Sequence, residues 1–135
     1  MPPKIEGEEM RLFDLNLVVP FVTLLITNNE GKALISQRGD KVNVGQWWFE
    51  LPGGKIDIGE KNSYSVAFRE GYEETGMRFN NLKIVDTQLY EEDSERPSPG
   101  LAILFTASAN GPIKIRDEEK GIVTSLKWLT KEEAL

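Results

Sequence analysis

From Leu17 to Thr27 the chain is almost continuously apolar, and a short cluster of turn formers, Asn28, Asn29, Glu30 and Gly31, follows it. A run of this length, closed by Asn and Gly and succeeded by Lys32 to Arg38, reads as a buried strand, a tight turn and a second strand completing a hairpin. Gly39 to Gln46 is polar and reads as a loop. Trp47 to Leu51 is aromatic and extended, and Pro52-Gly53-Gly54 reads as a turn whose glycines let backbone approach a ligand closely. Lys55 to Ile58 alternates polar and apolar residues, as a short strand does. Helical spacing takes over from Ser63 to Thr75, with Asn62 or Ser63 as the N-terminal cap and Gly76 as the stop. Four further strands are expected at Leu82 to Glu92, Leu101 to Ala109, Ile113 to Arg116 and Thr124 to Trp128. Asp93 to Gly100 and the Asn110-Gly111-Pro112 turn separate them, and Lys131 to Leu135 reads as the start of another helix. Several strands with one or two helices place the chain in the α+β class.

On the central helix, Phe68 and Tyr72 are four residues apart and are expected to pack into the core. The acidic residues are expected on the opposite face of the same helix, one face packed and the other catalytic. Glu70, Glu73 and Glu74 lie within an arc of roughly 100°, because positions three and four apart share a face. Like charges so placed repel, and a divalent cation between them relieves the repulsion. Magnesium takes oxygen ligands and fills its remaining positions with water and substrate phosphates. A solvated acidic face is the simpler reading of any one Glu–Glu pair. The wider spacing of Gly54, Glu60, Arg69, Glu70, Glu73, Glu74 and Gly76 is too specific for accident.

Those residues, read from Gly54 to Met77 as GKIDIGEKNSYSVAFREGYEETGM, resemble the signature of the Nudix hydrolases, G-x5-E-x7-R-E-U-x-E-E-x-G-U, where U is aliphatic. There are two departures. Eight residues, Lys61 to Phe68, separate Glu60 from Arg69 where the pattern has seven, and Gly71 stands at the first aliphatic position. An insertion ahead of the helix lengthens a loop without rotating the glutamates against one another. Gly71 costs about 1 kcal/mol of helix propensity relative to alanine, which a close helix-to-sheet contact would explain. The resemblance implies an α/β/α sandwich around a mixed sheet.

The resemblance also implies the site. Glu73 and Glu74 are then the main metal ligands, Glu70 a ligand or the base that takes a proton from water, the Gly54 carbonyl a further ligand, Arg69 the orienting residue and Glu60 a support. Mg²⁺ is the implied cofactor, with Mn²⁺ as a substitute. Many family members add an acid from a downstream loop, for which Glu118 and Glu119, with Asp117, are the candidates, and Glu91, Glu92 and Asp93 stand behind them. Arg38, Trp47, Trp48, Phe49 and Glu50 precede the signature, where the family places groups that meet nucleoside or phosphate. Each tryptophan is equally at home in a core. The run GQWWFELPGGKID is similar to that of MutT-type nucleoside triphosphate pyrophosphohydrolases and to that of ADP-sugar pyrophosphatases. Three functions are therefore in play. They are release of pyrophosphate from a nucleoside triphosphate, oxidised nucleotides included, hydrolysis of ADP-ribose or another nucleotide sugar, and nucleotide binding without chemistry.

Composition bounds these readings. A chain of 135 residues that is 39% hydrophobic is the size of one domain with a real core, here expected over residues 14–135 behind a flexible segment 1–13. It contains no cysteine and no histidine, which removes thiol nucleophiles, imidazole bases and the usual zinc ligands. A formal net charge of −6 argues against nucleic acid as a partner, since that contact runs on Lys and Arg. The polar start Met1 to Met10 lacks a signal peptide's apolar run, and Leu12 to Ile26 is too short and too interrupted to span a bilayer. The expected setting is cytoplasmic, with a small-molecule nucleotide as partner and no membrane, as monomer or homodimer.

Overall fold

The computed structural model describes residues 18–41, 49–57, 59–91, 98–115 and 123–134. Its elements run β1 (Val19–Thr27), β2 (Ala33–Arg38), β3 (Phe49–Glu50), β4 (Gly53–Lys55), α1 (Ser63–Thr75), β5 (Asn80–Tyr90), β6 (Gly100–Ser108), β7 (Val123–Leu129) and α2 (Lys131–Ala134).

The seven strands of the described residues join one mixed sheet, with the order β3-β2-β1-β6-β5 along its main path. β1 is central because its residues tolerate burial on both faces. It pairs in parallel with β6 from Val19↔Gly100 to Thr27↔Ser108, so β6 occupies one edge along its whole length. β2 and β4 must then share the other edge. β2 takes the end at Thr27↔Ala33, and β4 takes the beginning, at Phe21↔Lys55, Val22↔Gly54 and Thr23↔Gly53. β2 leaves β1 after that contact and pairs instead with β7, Ala33↔Leu129 to Arg38↔Val123, and with β3. The Glu70 and Glu74 carboxylates lie beside this fork, on the β4 side.

The turn before β2 is fastened by side chain and backbone together. The Asn28 Oδ1 accepts from the amides of Glu30 and Lys32, both at 3.0 Å, and Gly31 takes the left-handed φ of 74° that the reversal requires.

Alternate residues of β1, Val22, Leu24 and Ile26, have no exposure and meet Phe105 and Ala107 of β6, Leu34 of β2, and Val66 and Ala67 of α1. In a parallel ladder, paired residues share a face. Leu24↔Phe105 and Ile26↔Ala107 therefore place these residues on the side that α1 covers. The Tyr64 ring meets Phe105 edge-on at 5.1 Å. β5 keeps its pairing with β6 through a bulge between Ile84 and Asp86.

Four sequence expectations need correction. The strand expected over Lys55 to Ile58 is instead Gly53–Lys55, with Ile56 and Asp57 beyond it and Ile58 outside the described residues, because the two glycines expected to turn run flat along β1. A Cβ on Gly53 would overlap the Val22 backbone, so only glycine allows that approach. Ile113 to Ile115 lies outside regular structure, since the Lys114 N–H donates to the Thr75 carbonyl at 2.9 Å instead of joining a ladder. Phe68 and Tyr72 are 46% and 49% exposed, because α1 turns Val66, Ala67, Gly71 and Thr75 inward instead. Gly71 does mark a close approach, but to the Phe79 ring ahead of β5, and not to the sheet. The remaining strands lie within a residue or two of expectation, and the four-residue helix α2 follows β7.

Candidate active site

The helix that carries the glutamates is well delimited. Asn62 caps it, its Oδ1 accepting from the Tyr64 amide at 2.9 Å and the Ser65 amide at 3.4 Å. Gly76, at φ 68°, ends it by donating to the Tyr72 carbonyl at 2.8 Å. The helix runs without interruption from Ser63 to Thr75, so the helical spacing of Arg69, Glu70, Glu73 and Glu74 is intact.

Glu70 and Glu74 do not face away from the packed side. They lie within it, over β4, at the place where side chains vanish. The Gly54 Cα abuts the Glu70 carboxylate so closely that a Cβ would overlap it, and the Gly53 N–H donates to Glu74 Oε2 at 3.1 Å. Glycines in β4 thus admit two carboxylates where a sheet would ordinarily present methyl groups. The Glu70 side chain is only 15% exposed.

Arg69 ties the rest together. Its Nε and Nη2 donate to Glu60 Oε2 and Oε1 at 3.1 and 2.7 Å, a bidentate fork, while Nη1 donates to Glu70 Oε1 at 2.9 Å and Glu73 Oε2 at 3.3 Å. Asp57 Oδ2 stands 3.5 Å from Nη2. Planar geometry and a fixed charge let one guanidinium orient three glutamates at once, which a lysine does not do. Glu60 is held in turn from below, where its Oε1 accepts from the Asp57 amide at 2.8 Å.

These contacts shift the acid–base balance. The Arg69 hydrogen bonds, then the Asp57 amide, hold the Glu60 carboxyl below its ordinary 4.5, and Glu60 in turn raises Arg69. A carboxyl depressed on folding contributes stability above its unfolded value, and that contribution disappears as pH falls through the lower folded value. In thermal melts, the Tm difference between wild type and Glu60→Gln is therefore expected to be largest above pH 4.5 and to close as the solution is acidified. A difference that widens toward acid would refute the pairing.

Arg38 and Glu50 form an ion pair at 3.1 Å between β2 and β3. Ser36 steadies it, its Oγ donating to the Glu50 carbonyl at 3.1 Å. Trp47, Trp48, Asp117, Glu118 and Glu119, like Glu92 and Asp93, lie outside the described residues. Sequence reasoning missed Asp57, the further acid at Arg69, and Gly53, whose amide holds Glu74; a second glycine beside Gly54 and an acid three residues before Glu60 were the available signals.

The donor set suits a hard cation in kind, since carboxylates and peptide carbonyls are the oxygen ligands such ions take. As the side chains stand, no three acidic groups among the described residues converge closely enough to hold an ion. Arg69 bridges Glu70 and Glu73 instead, and Gly53 engages Glu74.

A mixed sheet, a helix with its carboxylates pressed onto a glycine strand, and an arginine bridging them are the setting in which comparison with known proteins places a hydrolase of pyrophosphate bonds. The NUDIX domain profile matches residues 18–135, and the chain belongs to the Nudix hydrolase family, whose members work with a divalent metal ion. Among solved structures, it is similar to a MutT protein from Methanosarcina mazei Go1, with 26% identity, 87% of this chain and 80% of that one covered, and a TM-score of 0.70. A MutT NUDIX hydrolase from Burkholderia pseudomallei has the same fold at 20% identity, with 87% of each chain covered and a TM-score of 0.74. So does the NUDIX domain of Shewanella oneidensis NrtR, solved with ADP ribose, at 16% identity, with 97% of this chain and 86% of that one covered and a TM-score of 0.73. No curated protein matches the chain. Among the described residues, no helix is long and apolar enough to cross a membrane.

Proposed function

We propose that this chain is a Mg²⁺-dependent nucleoside triphosphate pyrophosphohydrolase, releasing a nucleoside monophosphate and pyrophosphate, with oxidised nucleotides among its substrates. The observation that carries the reading is the seating of Glu70 and Glu74 on the Gly53–Gly54 backbone, with Arg69 steering Glu73 from beside them. Glu73 and Glu74 are the proposed principal ligands, joined by the Gly54 carbonyl, and Glu70 is a further ligand or the group that accepts a proton from the attacking water. The bound ion, Mg²⁺ or Mn²⁺, would offset phosphate charge and acidify water. Arg69 keeps the carboxylates in fixed rotamers, with Glu60 and Asp57 holding the guanidinium. Arg38, Glu50, Trp47 and Trp48 are the proposed substrate contacts. Arg38 meets phosphate when Glu50 releases it, and the tryptophans offer faces for a base. Glu118 or Glu119 is the proposed loop acid. The same proposal places the protein in the cytoplasm, as monomer or homodimer, without nucleic-acid or membrane partners.

Similarity to a MutT protein at 26% identity favours the triphosphate. The ADP ribose in the NrtR relative favours a second reading, hydrolysis of a nucleotide sugar at the same site. A nucleotide panel assayed with Mg²⁺ separates them. Inorganic pyrophosphate from a triphosphate supports the first, sugar phosphate from ADP-ribose supports the second, and no turnover of either leaves a binding module.

A further inference from the structure

We infer that Asn110 is a site of spontaneous deamidation, a modification that turns the neutral clasp between the β1–β2 turn and the end of β6 into a charged one and lengthens the backbone that runs on from β6 to the end of α1. The chain contains a single Asn-Gly pair, Asn110-Gly111. Both residues are exposed just after β6, and a Cβ on Gly111 would meet nothing within 4 Å. Access to the Gly111 nitrogen is therefore open. Among the described residues that N–H donates to no partner, so nothing there opposes its loss of a proton. The amide carbon is also polarised, because the Asn110 Oδ1 accepts from the Asn29 N–H at 3.1 Å.

The step balances without any protein catalyst. The Gly111 nitrogen bonds to Asn110 Cγ, the Cγ–Nδ2 bond breaks, and ammonia departs with the proton that the glycine amide gave up. Water then opens the resulting succinimide at either carbonyl. One opening leaves aspartate, and the other leaves isoaspartate, whose backbone runs through Cβ and Cγ and is one methylene longer.

Position makes the change consequential. The Asn110 Nδ2 donates to Asn29 Oδ1 at 3.3 Å, so Asn29 and Asn110 clasp the β1–β2 turn to the end of β6. Deamidation removes that donor and adds a carboxylate. The segment is also anchored at both ends, by the Ala109 N–H on the Thr27 carbonyl at 3.1 Å and the Lys114 N–H on the Thr75 carbonyl at 2.9 Å. Thr75 is the last residue of α1, next to Glu74. The longer isoaspartate backbone adds slack between these anchors and loosens the hold on the end of the helix that presents the glutamates. Asn28, Asn62 and Asn81 precede Asn29, Ser63 and Leu82, whose side chains hinder the same attack.

The test is incubation of the folded wild-type chain at mildly alkaline pH, followed by peptide mass mapping and isoaspartate-methyltransferase labelling. The amide-to-acid mass change is expected first at Asn110, several-fold ahead of Asn28, Asn29, Asn62 and Asn81, with isoaspartate as a major product. Equal or slower conversion at Asn110 overturns the inference, as does aspartate without isoaspartate. The wild-type comparison decides by itself. The aged, isoaspartate-containing fraction adds the consequence, for which faster hydrogen exchange at the Lys114 amide than in the unaged chain is expected, and unchanged exchange there refutes the coupling to α1.

Discussion

Glutamine at position 74 is expected to lower kcat roughly 10²- to 10⁴-fold, the worth of several kcal/mol of charge stabilisation, with stability changed by about 1 kcal/mol or less. The two halves of that expectation come from different atoms. An amide oxygen still accepts from the Gly53 N–H, which in the wild type reaches Glu74 Oε2 at 3.1 Å, so β4 and α1 stay in register. The negative charge is gone, and with it most of the affinity for a cation. Steady-state kinetics across a Mg²⁺ titration, paired with a thermal melt, checks both. If Glu74→Gln and Glu73→Gln turn over normally at unchanged metal dependence, the proposed ligands are wrong. Glu60→Gln should act more weakly on rate, about 10- to 100-fold, because Glu60 works through Arg69 and reaches no substrate.

The largest stability effect is expected at Phe105. Its ring has no exposure, pairs in register with Leu24 and takes the edge of Tyr64. Phe105→Ala removes both the buried ring and its contacts, and surrounding strands fixed by hydrogen bonds cannot close the cavity. A loss of about 3–5 kcal/mol follows, or roughly 10 to 18 °C in Tm for a domain of this size. Denaturant unfolding that registers under about 1 kcal/mol would mean that β6 does not present Phe105 to the core.

The acidic residues around Arg69 stand in an arrangement that explains their tolerance of one another. Four carboxylates, those of Asp57, Glu60, Glu70 and Glu73, surround the Arg69 guanidinium within 3.5 Å. The folded chain therefore accommodates its acidic face through one guanidinium, and in the proposed metal site a cation would compete with Arg69 for the same oxygens. Arg69 would then be an orienting group as well as the counter-ion.

Much of this was legible in the residues themselves. Helix α1 could be bounded to the residue because Asn62 and Gly76 act locally: a side chain satisfies free amides at one end, and a left-handed turn closes the other. β1 announced itself by an apolar run that no exposed strand carries, and the glutamate spacing is a property of helical geometry alone. What local chemistry cannot state is which way a helix rolls on its sheet. Phe68 and Tyr72 look like core by hydrophobicity, yet the roll is decided by what β4 offers, and β4 offers glycine. Two missing side chains let carboxylates pack where aromatic rings were expected, and the rings turn outward. The pairing of Gly53 and Gly54 with Thr23 and Val22 is a long-range register that no neighbouring residue encodes. The sequence by itself determined the class of fold, the limits of the site helix and the identity of its acids. Only the tertiary structure decided that two of them, Glu70 and Glu74, face the sheet, because that depends on backbone brought together from distant parts of the chain.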